Sequence, residues 1–267
     1  MNRTGTAKAK NKHSIAPAIC SQSCNDYFDY ESKILSLFGF VFDAVKTIDK
    51  HRQIASAALA YDPIAEQQGE KPKQPEEKLE LTKHYYKYHM PLMKEFLLVR
   101  LVDNYQKYLA DILFEIFINK PETLKSSAQV EVSEVLAAGT MDNFVRQYAE
   151  KKVDNLTHES FIDLQRFFEE RFKIEISDKT KAIRTAIAIR NISVHNRCII
   201  NKRYLQSTGE SENNLGKAKE IDNEFLKNLI DLLPKSAVSI DVQVRKKFGV
   251  KGKKFMASVQ QKLVSNK

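Results

Sequence analysis

The sequence predicts an all-α protein, folded as an antiparallel helical bundle. Three observations point there. Glycine (8) and proline (7) are scarce for 267 residues, which undersupplies the turns that an all-β sandwich needs. Apolar residues return at three- and four-residue steps through most of the chain, and no stretch alternates convincingly with a period of two. The connections between periodic segments are short, as antiparallel neighbours require. A hydrophobic content of 42% is enough to bury a sizeable core.

Residues 1–25 are small, polar and basic (Arg3, Lys8, Lys10, Lys12) and read as a loose tail. Residues 26–61 form an N-terminal helical segment in which Ile34, Leu35, Phe38, Val41, Phe42, Val45 and Ile48 recur at helical spacing. Inside it, "LFGFVFD" (Leu37 to Asp43) partly matches the aromatic signature of RNA-reading strands. The leading basic residue and glycine are missing, Asp43 replaces the last aromatic and no second aromatic strand follows, so it reads as a core-facing helix. Residues 62–78, with three prolines, a glycine and many charges, form a linker.

Residues 79–235 are expected to form the bundle. Its central staff follows Pro91 and places Phe96, Val99, Val102, Tyr105, Leu109, Ile112 and Ile116 on or near one face, up to Pro121. Proline is tolerated in a first turn because its missing N–H would have no partner there. A short helix from Ser133 to Ala138 stops at Gly139, and Thr140 caps the next, which runs to about Leu156. Thr157 is expected to cap a helix with the stripe Phe161, Leu164, Phe168 and Phe172. Ser177 or Asp178 starts the following one, along which Ile183, Ile187 and Val194 sit roughly two turns apart. A polar loop covers Ser207 to Gly216, and a last helix, Ile221 to Leu233, ends at Pro234. Residues 236–267 are a basic C-terminal segment in which Phe248 and Phe255 alternate with lysines. It suits either sequence-independent phosphate contacts or plain solvation.

A net charge of +9 suggests a polyanionic partner, nucleic acid first and an acidic membrane surface second, with solubility as the plainer explanation. Three cysteines, Cys20, Cys24 and Cys198, support neither a disulfide framework nor a zinc site, and fit reduced thiols. No apolar run spans a bilayer, and the N-terminus lacks the apolar block of a secretory signal, so a cytoplasmic protein without a membrane partner is expected. His84 and His89 are five apart, ~140° around an α-helix, which makes them poor joint metal ligands. With no glycine-rich phosphate loop and no serine elbow either, neither metal nor cofactor is expected.

One stretch remains, "IAIRNISVHNRCI", Ile187 to Ile199. On a helix Asn191 and His195 are four apart and share a face, and the long side chain of Arg190 reaches the same patch. By itself this is also how an ordinary solvated helix face reads. The hexapeptide "RNISVH", however, resembles the arginine–x4-to-6–histidine motif of the HEPN family (higher eukaryotes and prokaryotes nucleotide-binding). The extension "VHNRCIINKRYL", Val194 to Leu205, is similar to bacterial stand-alone HEPN proteins. The resemblance covers roughly Leu79 to Leu233.

The resemblance implies an antiparallel bundle of four to five helices, here with an extra N-terminal helix and a basic tail, that forms a homodimer through the motif-bearing face. It implies a metal-independent endoribonuclease that cleaves RNA by 2′-OH transesterification at a composite site between subunits, or else a non-catalytic RNA- or nucleotide-binding module, or a dimeric adaptor. Family members often serve as toxins or in antiviral defence, with an antitoxin or defence partner. On this resemblance His195 is the general acid or base, Arg190 stabilises the transition state and Asn191 orients phosphate or histidine; Asn196 and Arg197 support the substrate-binding side, Asn196 through the motif's geometry and Arg197 through a phosphate contact. Some toxin members carry a tyrosine two places after the histidine, where a nucleotidyltransferase modifies them; this chain has Arg197.

The residue types suit the reaction. RNA brings its own nucleophile, so the protein must move two protons and steady a phosphorane. Imidazole exchanges protons near neutrality, and guanidinium stays charged and holds two phosphate oxygens in its planar fork. One helix face supplies one histidine, and a symmetric partner supplies the second.

Overall fold

The computed structural model describes residues 17–60, 81–125, 129–177 and 179–255. In chain order it has a short strand β1 (Ile19–Cys20) and the helices α1 (Gln22–Ala60), α2 (Leu81–His84), α3 (Met90–Asn119), α4 (Val132–Ala138), α5 (Met141–His158), α6 (Phe161–Phe167), α7 (Thr180–Asn196), α8 (Lys202–Thr208) and α9 (Asn223–Phe248), closed by a short strand β2 (Lys253–Lys254). The chain is all-α, as its periodicity requires. The linker read at residues 62–78 lies outside the described residues, as do most of the tail (residues 1–16) and residues 256–267.

The chain divides into two compact units. Among the described residues, one gathers 17–28, 108–125, 129–177 and 231–255; the other gathers 29–60, 81–107 and 179–230. The first has an aromatic core. Phe172 meets Phe117 and Phe248 edge-on, with ring centroids 6.1 and 5.3 Å apart, an arrangement that aligns ring edges with ring faces. Two acidic side chains seat the start of α1 in this unit. Asp241 accepts the Ser21 backbone N–H at 2.9 Å, and Glu115 accepts the Ser23 backbone N–H at 2.6 Å. Residues 20–25 are therefore not a loose tail: Cys20, Ser21 and Cys24 are fully buried and α1 starts at Gln22, ahead of the expected Asp26. The carboxylates that satisfy this helix start lie far away in sequence, beyond the reach of local capping rules.

Pro234 does not end its helix. It sits inside α9, which runs on to Phe248. A missing N–H forfeits one helical bond, but the buried stripe Leu233, Ala237, Ile240, Val244 and Phe248 continues at steps of three and four and holds the helix beyond it. The basic segment expected from residue 236 is thus helical at its start. Phe248 belongs to the core and is not offered to a ligand. Thr157 does not cap α6 either; its hydroxyl donates to the Val153 carbonyl inside α5. Ser160 is the cap and accepts the Asp163 N–H.

In the second unit α3 buries Leu97, Leu98, Leu101, Val102 and Tyr105. Val102 and Tyr105 of the expected stripe, like Leu109, Ile112 and Ile116 further along α3, are buried as the spacing predicts, whereas Phe96 at its start is 51% exposed. Val194 on α7 also points outward, 50% exposed. The "LFGFVFD" stretch is helical, but Leu37 and Phe40 are exposed: no single face of a helix takes in so dense an apolar run. Helix α7 starts at Thr180, with Lys179 in the cap position; Asp178, one of the two expected starters, lies outside the described residues. Helix α8 is capped by Asn201, whose side chain accepts the Tyr204 N–H at 2.9 Å.

Between α2 and α3 the backbone forms a π-helical turn, Tyr85–His89, in which the Met90 N–H bonds to the Tyr85 carbonyl five residues back. Pro91 follows directly and has no N–H to give to Lys87, so it does not restore α-helical bonding there. The α-helical angle assumed for His84 and His89 does not apply in this turn. Their rings are neighbours, with centroids 5.4 Å apart.

Candidate functional site

Helix α7 buries Ile183, Ala186, Ile187, Ala188, Ile189, Ile192 and Ser193. The positions left to the other side include Arg190, Asn191, Val194 and His195. Arg190 is well anchored. Its Nε donates to Asp103 Oδ1 at 2.7 Å and its Nη1 donates to Asn191 Oδ1 at 3.1 Å. The pair is partly shielded, with the Arg190 and Asp103 side chains 26% and 28% exposed, so the contact is stronger than one in open water. Two N–H donors of the fork are engaged, and the remainder stay available to an anion.

Asp103 extends the cluster. It lies 3.9 Å from Arg100 Nη1, and the Arg100 guanidinium sits over the Tyr30 ring, 5.3 Å from its centroid. Nearer the end of α7, the Ser193 hydroxyl pairs with Cys198 Sγ at 3.3 Å; burial raises the Glu95 carboxyl of α3 above its usual range, and the nearby Ser193 only partly offsets this. Sequence reading missed Asp103, Arg100 and Glu95. A signal was present: each is a charged residue within a long, strongly apolar helix.

The turn after α7 sets the end of the motif. Arg197 and Cys198 are consecutive residues with φ of 50° and 61°, a left-handed conformation that costs about 1–2 kcal/mol for a side-chain-bearing residue. Several bonds hold it. The Cys198 N–H reaches the Ile192 carbonyl at 3.0 Å and the Lys219 N–H reaches the Cys198 carbonyl at 2.8 Å. The Asn196 amide donates to the Ile199 carbonyl at 2.7 Å. Asn196, expected to serve the motif's geometry on the substrate-binding side, braces the turn through this bond. Arg197 is exposed.

His195 stands in the last turn of α7, exposed, and among the described residues it makes no hydrogen bond. The structure thus ties Arg190 to Asn191, adds Asp103 from α3, and places His195 one turn from Asn191 without a bond to either.

Behind the motif a second polar cluster pins the chain as it leaves α8. Glu210 Oε1 accepts from the Tyr204 hydroxyl at 2.6 Å and from Lys219 Nζ at 2.6 Å. Burial, with the Glu210 carboxylate beside it, drives the Tyr204 phenol far above its ordinary value. For Glu210 burial acts upward, but the bonds from Lys219 and Tyr204 outweigh it and hold the carboxyl below the usual range.

Among the described residues no group of three or more His, Cys, Asp or Glu side chains could hold a metal ion, and no helix is long and apolar enough to cross a membrane. No family model matches the chain, and comparison with curated proteins and with solved structures gives no match.

Proposed function

We propose that this protein is a HEPN-type, metal-independent endoribonuclease of the cytoplasm, cleaving RNA by 2′-OH transesterification at a site built from two copies of the motif. The observation that carries this reading is the contrast within α7: Arg190 is oriented by Asp103 and Asn191, while His195 stands exposed and uncommitted one turn on. Such a pair supplies an oriented cation for the phosphorane and a free imidazole for proton transfer. In this reading Asp103 positions Arg190, Asn191 links the guanidinium to the histidine's face, and Arg197 offers a further phosphate contact. The exposed Val194, next to His195 on α7, supports a homodimer through the motif-bearing face, since an apolar side chain beside a polar motif favours burial by a partner. A toxin or antiviral defence role, with an antitoxin or other defence partner, belongs to the same proposal.

One observation favours a second reading, a non-catalytic RNA- or nucleotide-binding module: the Asp103 ion pair offsets the charge of Arg190. A dimeric adaptor without a ligand is the third. Incubating end-labelled RNA with the protein in EDTA separates them. The nuclease yields fragments ending in a cyclic phosphate, the binder retains RNA in a salt-sensitive complex without cutting it, and the adaptor does neither.

A further inference from the structure

The π-helical turn ahead of α3 creates a juxtaposition that an α-helix would not. A π turn has more residues per turn than an α-helix, so side chains five apart come to the same side. His84 and His89 do so here, with ring centroids 5.4 Å apart and planes at 52°. Two imidazoles that ligate one cation through metal–nitrogen bonds of about 2.0–2.1 Å, at angles from right to tetrahedral, have ring centres about 4.5–5.2 Å apart. The observed separation of 5.4 Å lies just above that range, so the two rings must draw slightly closer to share one ion. Both histidines are exposed, and among the described residues neither ring is held by a hydrogen bond, so chelation breaks no polar contact. The backbone that creates the pairing is set locally, by the Met90 N–H bond to Tyr85 and by Pro91 after it.

We propose that His84 and His89 form a two-histidine site for a borderline-soft divalent cation such as Cu²⁺, Ni²⁺ or Zn²⁺, with water filling the remaining positions. Imidazole nitrogen suits these ions, whereas Mg²⁺ and Ca²⁺ take oxygen ligands. The Irving–Williams order places Cu²⁺ above Ni²⁺ and Zn²⁺ at such a site. A bound ion would staple the π turn across its own width, because whatever binds the folded form stabilises it. The site stands apart from the nuclease reading, and neither depends on the other.

Calorimetric titration of the full chain with CuSO₄, ZnCl₂ and MgCl₂ tests it. One Cu²⁺ or Zn²⁺ should bind per chain, Cu²⁺ the more tightly, and Mg²⁺ should give no saturable heat. His84→Ala and His89→Ala should each weaken binding at least about tenfold, since even losing an outer-shell partner of a metal ligand costs about 10–100-fold. His51→Ala, which removes another exposed histidine, should leave binding unchanged. Cu²⁺ should also broaden the imidazole proton resonances of His84 and His89 in the unmodified protein, a readout that does not rely on how a variant folds. Binding at full strength in both single variants, absence of Cu²⁺ and Zn²⁺ binding in the unmodified protein, or broadening centred on other histidines would overturn the assignment.

Discussion

Asp103 and Arg190 together fix where the motif's positive charge points. Asp103→Asn keeps the shape and removes the charge, so it should lower stability by about 1 kcal/mol, the scale of a partly shielded charge-assisted pair, read as a shift in the urea midpoint. In the proposed site it should also slow RNA cleavage by less than loss of His195 does, because a positioning residue acts through Arg190. Glu95 makes a pH prediction. Its folded-state carboxyl lies above the usual range because of burial, so the folded state holds its proton more tightly than the unfolded state. The sign is then negative: this group contributes a loss of stability as pH rises through the carboxylate range toward the raised value. Glu95→Gln should flatten that slope over the pH range above the ordinary glutamate value of about 4.3; an unchanged slope in urea melts would contradict the assignment. The principal motif residues were legible in the sequence because helical spacing alone brings Asn191 and His195 to one face. Asp103 and Glu95 were not, because only the packing of α3 on α7, eighty-seven residues apart for the ion pair, assigns a carboxylate to a particular partner.

At the scale of elements, periodicity located the helices and failed at their ends and fine angles. Ser160 displaced Thr157 as a cap because the hydroxyl of Thr157 bonded within its own helix, a competition between equivalent local bonds. Pro234 was overridden by a buried stripe on both sides of it. Phe96, at the N-terminal end of the α3 stripe, stays exposed although the rest of the stripe from Val102 on is buried, because spacing does not say where along a helix its cover begins. The π turn was invisible because its period is neither 3.6 nor 2, and the angle between His84 and His89 changed with it. The segment from Cys198 to Lys219 tests how far a motif depends on the chain behind it. Tyr204→Phe deletes the phenol–carboxylate bond of 2.6 Å and should lower stability by about 1 kcal/mol, the net worth of such a bond. Thermal melts with far-UV circular dichroism measure it, and an unchanged midpoint would show that Lys219 alone secures Glu210.

For the molecule as a whole, low glycine and proline content and helical periodicity sufficed for the all-α class. They did not foretell two compact units, since the sequence marks no break within α3 or α9, where residues pass from one unit to the other. The basic balance of +9 eases the approach of RNA and selects no sequence. Assembly is where the proposal is most exposed. Placing a charge on the outward apolar residue of the motif helix, Val194→Glu, should weaken a dimer formed through that face; sedimentation over a range of concentrations should show monomer where the unmodified protein is dimeric. A dimer that survives Val194→Glu unchanged would place the interface elsewhere.

The central claim is that an uncommitted imidazole on α7 moves a proton during RNA cleavage. The rate of cyclic-phosphate formation in EDTA, compared between the unmodified protein and His195→Ala, tests it most directly. The expected result is a drop of about 10²–10⁴-fold, the usual contribution of a general acid or base, with helicity and sedimentation unchanged; equal rates in the two proteins, or no cleavage by either, would contradict it.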